Sequence, residues 1–301
     1  MSMLQFTTSI KKEIWEYKKI FLWIPIILAA LIISAPIISY LLNGGASQEW
    51  LYRFERLAEA SNREGFTGLA YGMVSFLFLP FFVISTIVQL YYFIACLFDE
   101  RRDMSILFWR SLPVSDVMSI GVKLLVGALI LPAFFLLAAT LTLVLFLIFV
   151  LIGCVILSVS YDIALWGIWV NSDVISHIFS IWFNLLPYTL WLFPVYAWLM
   201  LVSMFSSKAP FLWATLPVVI LLLVEGFVVN YFDFNGYFFA NILIDYFSLT
   251  DSVNGVISNK PHSFASIALS VIVEKVNVVA LLIGAGFIYA TYWLRTNCSH
   301  S

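Results

Sequence analysis

The chain has 301 residues, 63% of them hydrophobic and only 11% charged, with a mean hydropathy of +1.02, which excludes a water-soluble globular domain. A formal net charge of −2 supplies no basic field, so the balance argues against nucleic acid as a partner. Cys96, Cys154 and Cys298 are scattered, without the paired spacing of a disulfide framework or a zinc site.

At the amino terminus, Met3, Phe6, Ile10, Ile14, Tyr17 and Phe21 recur at steps of three or four, while Lys11, Lys12, Glu13, Glu16, Lys18 and Lys19 occupy other faces. That spacing predicts an amphipathic helix over 1–19 lying on the membrane surface. The apolar run then continues from Ile20 to Leu42 with no Ala-x-Ala cleavage site, so a retained first span is favoured over a signal peptide. Apolar runs recur from there on. The reading is an all-α polytopic membrane protein, a single domain over 1–301, with six spans at about 20–42, 69–98, 120–152, 180–206, 211–230 and 269–294. About 20 residues cross a bilayer core, and Ile120–Ser158 is long enough to suggest two crossings. One crossing with an outer helical extension is preferred, because Gly153 and Ser158–Ser160 do not supply a loop at mid-membrane depth.

Placing both termini in the cytoplasm puts Lys11, Lys12, Lys18, Lys19, Arg101, Arg102, Arg110, Lys123, Lys208 and Arg295 inside. Arg53, Arg56, Arg63 and Lys260 fall outside, with Lys275 near the outer edge of the last span. This asymmetry satisfies the positive-inside tendency. The outer segments carry patterns of their own. Glu49/Arg53 and Glu59/Arg63 stand at i,i+4 beside Trp50, Leu51, Phe54 and Leu57, which predicts a short external helix. From Tyr231 to Phe247 an aromatic cluster suits the headgroup layer, with part of it dipping into the outer leaflet.

Glu225 lies inside an apolar run, about 21 Å along the helix from Phe211. A carboxylate there faces the bundle or takes a proton, and two roles stand level: a residue lining or gating a translocation path, or a structural bond to a neighbouring helix or the interface. Glu274 and Lys275 read as a snorkelling pair. His177 and His262 are far apart and His300 is in the tail. No zinc-protease, nucleophile-elbow or paired-Asp motif is present, so Asp162, Asp173 and His177 read as loop polar residues before they read as a metal or acid/base site.

The densest charged block is Asp99-Glu100-Arg101-Arg102-Asp103, between two apolar runs, followed by Met104 to Arg110 and Ser111-Leu112-Pro113-Val114-Ser115-Asp116. Asp103 can cap a short helix over Met104–Leu112, which Pro113 stops, and Ser115 can cap the next span. Ile106 and Trp109 can sink toward lipid or the bundle, leaving Arg102 and Arg110 to face a partner. Topology alone would need the positive charges, but not the interleaved carboxylates and the Trp.

The run from Leu97 to Leu107, with Ser111-Leu112-Pro113-Val114-Ser115 and Lys123, resembles the segment between the second and third spans of ABC-2 type transporter permeases. The family pattern there is a Glu-Arg stretch, a Gly-[Ser/Thr] pair, a cytoplasmic coupling helix, a [Ser/Thr]-x-Pro-[Val/Ile]-[Ser/Thr] turn and a Lys. Met104-Ser105 departs from it where the Gly-[Ser/Thr] pair is usual. The resemblance implies a permease subunit of an ATP-binding-cassette exporter in a bacterial inner membrane, paired as a homo- or heterodimer and seated on a separate ABC ATP-binding subunit. On that implication Glu100, Arg101, Arg102, Asp103, Ile106, Trp109 and Arg110 couple to the ATPase, Glu225 is a path or gate candidate, and membrane lipid is the remaining partner. This chain would then be no enzyme and hold no cofactor or metal, ATP and Mg residing on the partner. In agreement, no Gly-x-x-x-x-Gly-Lys-[Ser/Thr] occurs. Two alternatives stay open: a polytopic membrane enzyme with an outer-facing polar site, and a proton-coupled secondary transporter using Glu225.

Overall fold

The computed structural model describes residues 3–42, 52, 55–59, 66–102, 115–161, 166–167, 169, 174–232, 236–248 and 275–297, and among these the regular structure is entirely helical. The elements in chain order are α1 (Met3–Glu16), α2 (Lys18–Leu42), α3 (Phe66–Ala95), α4 (Phe98–Arg102) and α5 (Asp116–Leu125). A π-helical turn, Val126–Ile130, then leads into α6 (Leu131–Tyr161), α7 (Val174–Phe183), α8 (Leu185–Phe205), α9 (Pro210–Tyr231), α10 (Phe239–Phe247) and α11 (Val278–Asn297). Six helical stretches are long and apolar enough to cross a membrane: Lys18–Ser39, Gly72–Arg102, Asp116–Tyr161, Val174–Phe205, Pro210–Tyr231 and Val278–Asn297. The chain is therefore a multi-pass membrane protein.

The third stretch follows one helical path from Asp116 to Tyr161. Ser115 opens it in an extended conformation, its Oγ accepting the Met118 N–H at 3.3 Å while Asp116 sits in the first turn. Of the segment 48–62, only 52 and 55–59 are described, and they are helical; Leu57 and Ala58 pack on Cys154.

Between helices in lipid, close packing and polar contacts hold what hydrophobic burial cannot. The core joins spans two, three and four around Phe81, Tyr92, Phe93, Val126, Leu131, Phe135, Tyr196 and Met200. Phe93 stacks on Tyr196 with centroids 4.5 Å apart, and Tyr92 meets Tyr17 edge-on at 5.0 Å. Two glycines set the closest approaches. A Cβ on Gly127 would stand 2.6 Å from the Phe93 and Tyr92 rings, and one on Gly284 would stand 2.7 Å from the Phe193 ring, where α11 lies along α8.

The π-turn sits where polar side chains cross the bundle. Gln89 Nε2 donates to the Gly127 carbonyl at 3.1 Å, Tyr188 Oη donates to Gln89 Oε1 at 3.1 Å, and Thr189 Oγ1 donates to the Ala128 carbonyl at 3.1 Å. Spans two, three and four are thereby tied at mid-depth. By contrast α9 buries only Ala214, and most of its residues are exposed.

Candidate functional site

Seven charged residues of this lipid-adapted chain, Lys12, Glu13, Glu16, Glu100, Asp116, Lys123 and Arg295, converge at one end of the bundle. Lys123, about two turns into α5, is 1% exposed, and its Nζ lies 2.9 Å from Glu13 Oε1 and 3.1 Å from Glu100 Oε1. The second Glu100 oxygen meets Arg295 Nη1 at 3.3 Å, and Arg295 Nε meets Asp116 Oδ1 at 2.8 Å. Lys12 Nζ stands 3.5 Å from Glu100 Oε1 and 3.8 Å from both Glu13 and Glu16, while Tyr92 Oη donates to Glu13 Oε2 at 3.2 Å. Lys12, Lys123 and Arg295 thus offset Glu13, Glu100 and Asp116 among buried and half-buried groups. Buried charges persist only when paired in this way.

The cluster has a topological meaning. It joins α1, the end of span two, the start of span three and the end of span six, which an alternating six-span chain must place on one side of the membrane. The end of span four adds to it: Ser203 Oγ accepts the Leu97 and Phe98 N–H groups at 3.2 and 2.9 Å, and Arg101 Nη1 donates to the Met204 carbonyl at 2.6 Å.

Around the cluster, Glu16 outside the spans has its carboxyl raised above the ordinary range, first by partial burial and then by the neighbouring Glu13 charge. Burial likewise raises the Tyr17 hydroxyl, with the nearby Cys96 thiol as the next cause.

The site residues expected from sequence divide. Glu100 is turned inward: it is 3% exposed because Lys123 and Arg295 hold its two oxygens. Arg101 is half-buried on the Met204 carbonyl. Arg102 faces outward, 3.2 Å from Asp99 and above the Phe98 ring. Asp103, Ile106, Trp109 and Arg110 lie outside the described residues, as do Asp162, Asp173, His262, Glu274 and Lys260. His177 is buried in α7, and no group of His, Cys, Asp and Glu that could hold a metal occurs among the described residues. Lys275 Nζ donates to the Asp245 carbonyl at 2.7 Å.

Glu225 has a definite structural place. Its Oε1 accepts the Phe238 N–H and, at 2.6 Å, the Phe239 N–H, and its Oε2 accepts the Ala240 N–H at 2.9 Å. It therefore satisfies the first N–H groups of α10. That helix is fastened at its other end to α8, where Trp191 Nε1 donates to the Tyr246 carbonyl at 3.2 Å and Tyr246 Oη donates to the Trp191 carbonyl. Part of the aromatic segment is thus docked against span four, and burial raises the Tyr246 hydroxyl above its usual range.

Sequence reasoning missed that Glu13 is buried and that Lys123 and Arg295 are its companions in one cluster. Their one signal was an isolated cation inside, or at the end of, an apolar helix. Set against known protein families, curated proteins and solved structures, the chain matches none of them.

Proposed function

We propose that this chain is the membrane-spanning permease subunit of an ABC-2 type exporter, working as one of a pair and driven by a separate ATP-binding subunit. The membrane is the bacterial cytoplasmic membrane, with both termini inside. One observation carries the reading: Glu100, just before the segment 103–114, joins Lys123 of span three to Arg295 of span six. A pull on 103–114 by a closing ATPase reaches span two through α4 and is handed by Glu100 to spans three and six. Through Lys123 and Glu13 it also reaches α1. Such coupling requires that the two states differ in these contacts. Arg102, exposed on the outer face of α4, is the described residue best placed to touch the partner, with Trp109 and Arg110 beyond it.

The test is affinity purification of the tagged chain from its native membrane, with identification of co-eluting proteins. The expected companion carries a P-loop, and Arg102→Glu together with Arg110→Glu lowers its recovery while insertion is unchanged. Recovery of no P-loop protein, or equal recovery with the variant, removes the proposal.

A further inference from the structure

The ionic cluster occupies one end of the bundle, and a well-formed cavity lies toward the other. A cavity of about 340 Å³ opens between spans two, three and four, lined by Phe78, Phe82, Ser85, Leu136, Asn184 and Tyr188 among others. Ser85 is about 22 Å along span two from Glu100, beyond the midpoint of a hydrocarbon core about 30 Å thick. Its rim gives onto lipid, since Leu79 and Phe82 are 56% and 44% exposed. The volume falls in the range of small-molecule sites and is more than twice that of a cavity that holds benzene.

The lining is mostly apolar; its polar side chains are Ser75, Ser85, Asn184 and Tyr188, and of these Ser85 and Asn184 carry buried oxygens without a partner among the described residues. Ser85 is 3% exposed, and its Oγ has no hydrogen-bond partner among the described residues; Asn184 Oδ1 also has none. One is a hydroxyl that both donates and accepts, the other an acceptor. Buried groups of this kind are satisfied in native structures, by water or by a ligand. The lining has no Asp, Glu, Lys, Arg or His, so a charged group would lose its hydration with nothing in return.

We infer that this cavity is a binding site for an uncharged, hydroxyl-bearing amphiphile of the long-chain alcohol class, entering from the outer half of the membrane. Its chain fills the space between Phe78, Phe82 and Leu136. Neither Ser85 Oγ nor Asn184 Oδ1 has accessible surface, so a χ1 turn of each residue brings them to the amphiphile's hydroxyl, which donates to Asn184 Oδ1 and accepts from Ser85 Oγ. The site is independent of ATPase coupling, because binding is read on the isolated chain.

The experiment reconstitutes the full chain in phosphatidylcholine vesicles with a diazirine-bearing hexadecanol, irradiates it and maps the labelled residues by mass spectrometry. Labelling is expected to concentrate on Phe78, Phe82 and Leu136, and to be displaced by plain hexadecanol much better than by hexadecane or by palmitate at alkaline pH. Ser85→Ala weakens that displacement about fivefold, the effect of one hydrogen bond. Leu136→Trp fills the space and lowers labelling about tenfold or more, whereas Leu136→Met leaves it unchanged. Unfolding temperatures verify that each variant is folded, and should Leu136→Trp fail to fold, the Ser85→Ala comparison decides. Equal labelling at the lipid-facing Leu141, Leu145 and Phe149, insensitive to either substitution, overturns the inference in favour of bulk lipid contact. Hexadecane or palmitate competing as well as hexadecanol overturns it in favour of an unselective apolar void.

Discussion

Arg295 and Glu100 stand 195 residues apart in the chain, and their side chains meet at 3.3 Å, both nearly inaccessible. The pair joins the last span to the second, and its two members reach on to Asp116 and Lys123. The ends of four elements are held by ions rather than by apolar surface, which lipid would solvate equally well.

Removing the cation at the centre should be costly. Lys123→Met leaves Glu13 and Glu100 facing each other without the charge between them, and a broken buried pair of this kind costs about 3–5 kcal/mol. Thermal unfolding in detergent micelles measures it. Adding Glu13→Gln to Lys123→Met restores part of the loss, because Glu100 keeps Arg295 and Lys12. A double variant no more stable than the single one would show that the cluster is not held by charge pairing.

At Gly127 a single methyl group is the test. Gly127→Ala sets a carbon 2.6 Å from the rings of Phe93 and Tyr92, which are 0% and 1% exposed and have no room to withdraw. Overpacking of this kind costs about 1–3 kcal/mol. Gly121→Ala, in the same span but with nothing within 4 Å of the added carbon, should instead stabilise by about 0.5–1 kcal/mol through helix propensity. The two unfolding temperatures therefore move in opposite directions.

Glu225→Ala removes the acceptor from the start of α10. Hydrogen exchange of the Phe239 and Ala240 amides should accelerate, while amides around Lys123 keep their wild-type protection. If those two amides stay as protected as before, Glu225 does not hold the helix. The same variant in a proton-flux assay addresses the secondary-transport alternative.

The pH response of Glu16 has a fixed sign. Its folded carboxyl binds a proton more tightly than the unfolded one, so its contribution to stability is full below the ordinary carboxylate pKa. That contribution is lost as pH rises through the raised folded value. Glu16→Gln, which mimics the protonated form, should therefore raise the unfolding temperature at neutral pH and have no effect in acid. A gain that is equal at both ends of the pH range would rule out the linkage.

How much of this was legible beforehand depended on range. Six apolar stretches are local properties, and Ser115 ahead of Asp116 is a local capping signal, so both could be read directly. Glu13 could not, since periodicity placed it on the polar side of α1, and only the arrival of Lys123, 110 residues later, buries it. Separation in the chain also hid the inward turn of Glu100, since Arg295 comes 195 residues later and the adjacent Arg101 and Arg102 suggested an outward surface. Glu225 read as an anomaly in lipid because the amides it accepts begin 13 residues downstream, beyond the end of its own helix. The turn Val126–Ile130 had no herald except Gly127, a residue equally at home in a regular helix.

That turn sets how the third span is phased. An i→i+5 winding holds one residue more than an α-helical turn, and each residue is worth about 100° of rotation. Below it Lys123 points at carboxylates; above it Leu136 points at an oily chamber. Shortening 126–130 by one position would twist these two ends out of alignment, so either the ionic lock or the chamber wall would be lost. A rod that must index two unlike stations cannot tolerate a slip, and the extra residue is what lets one helical path serve both.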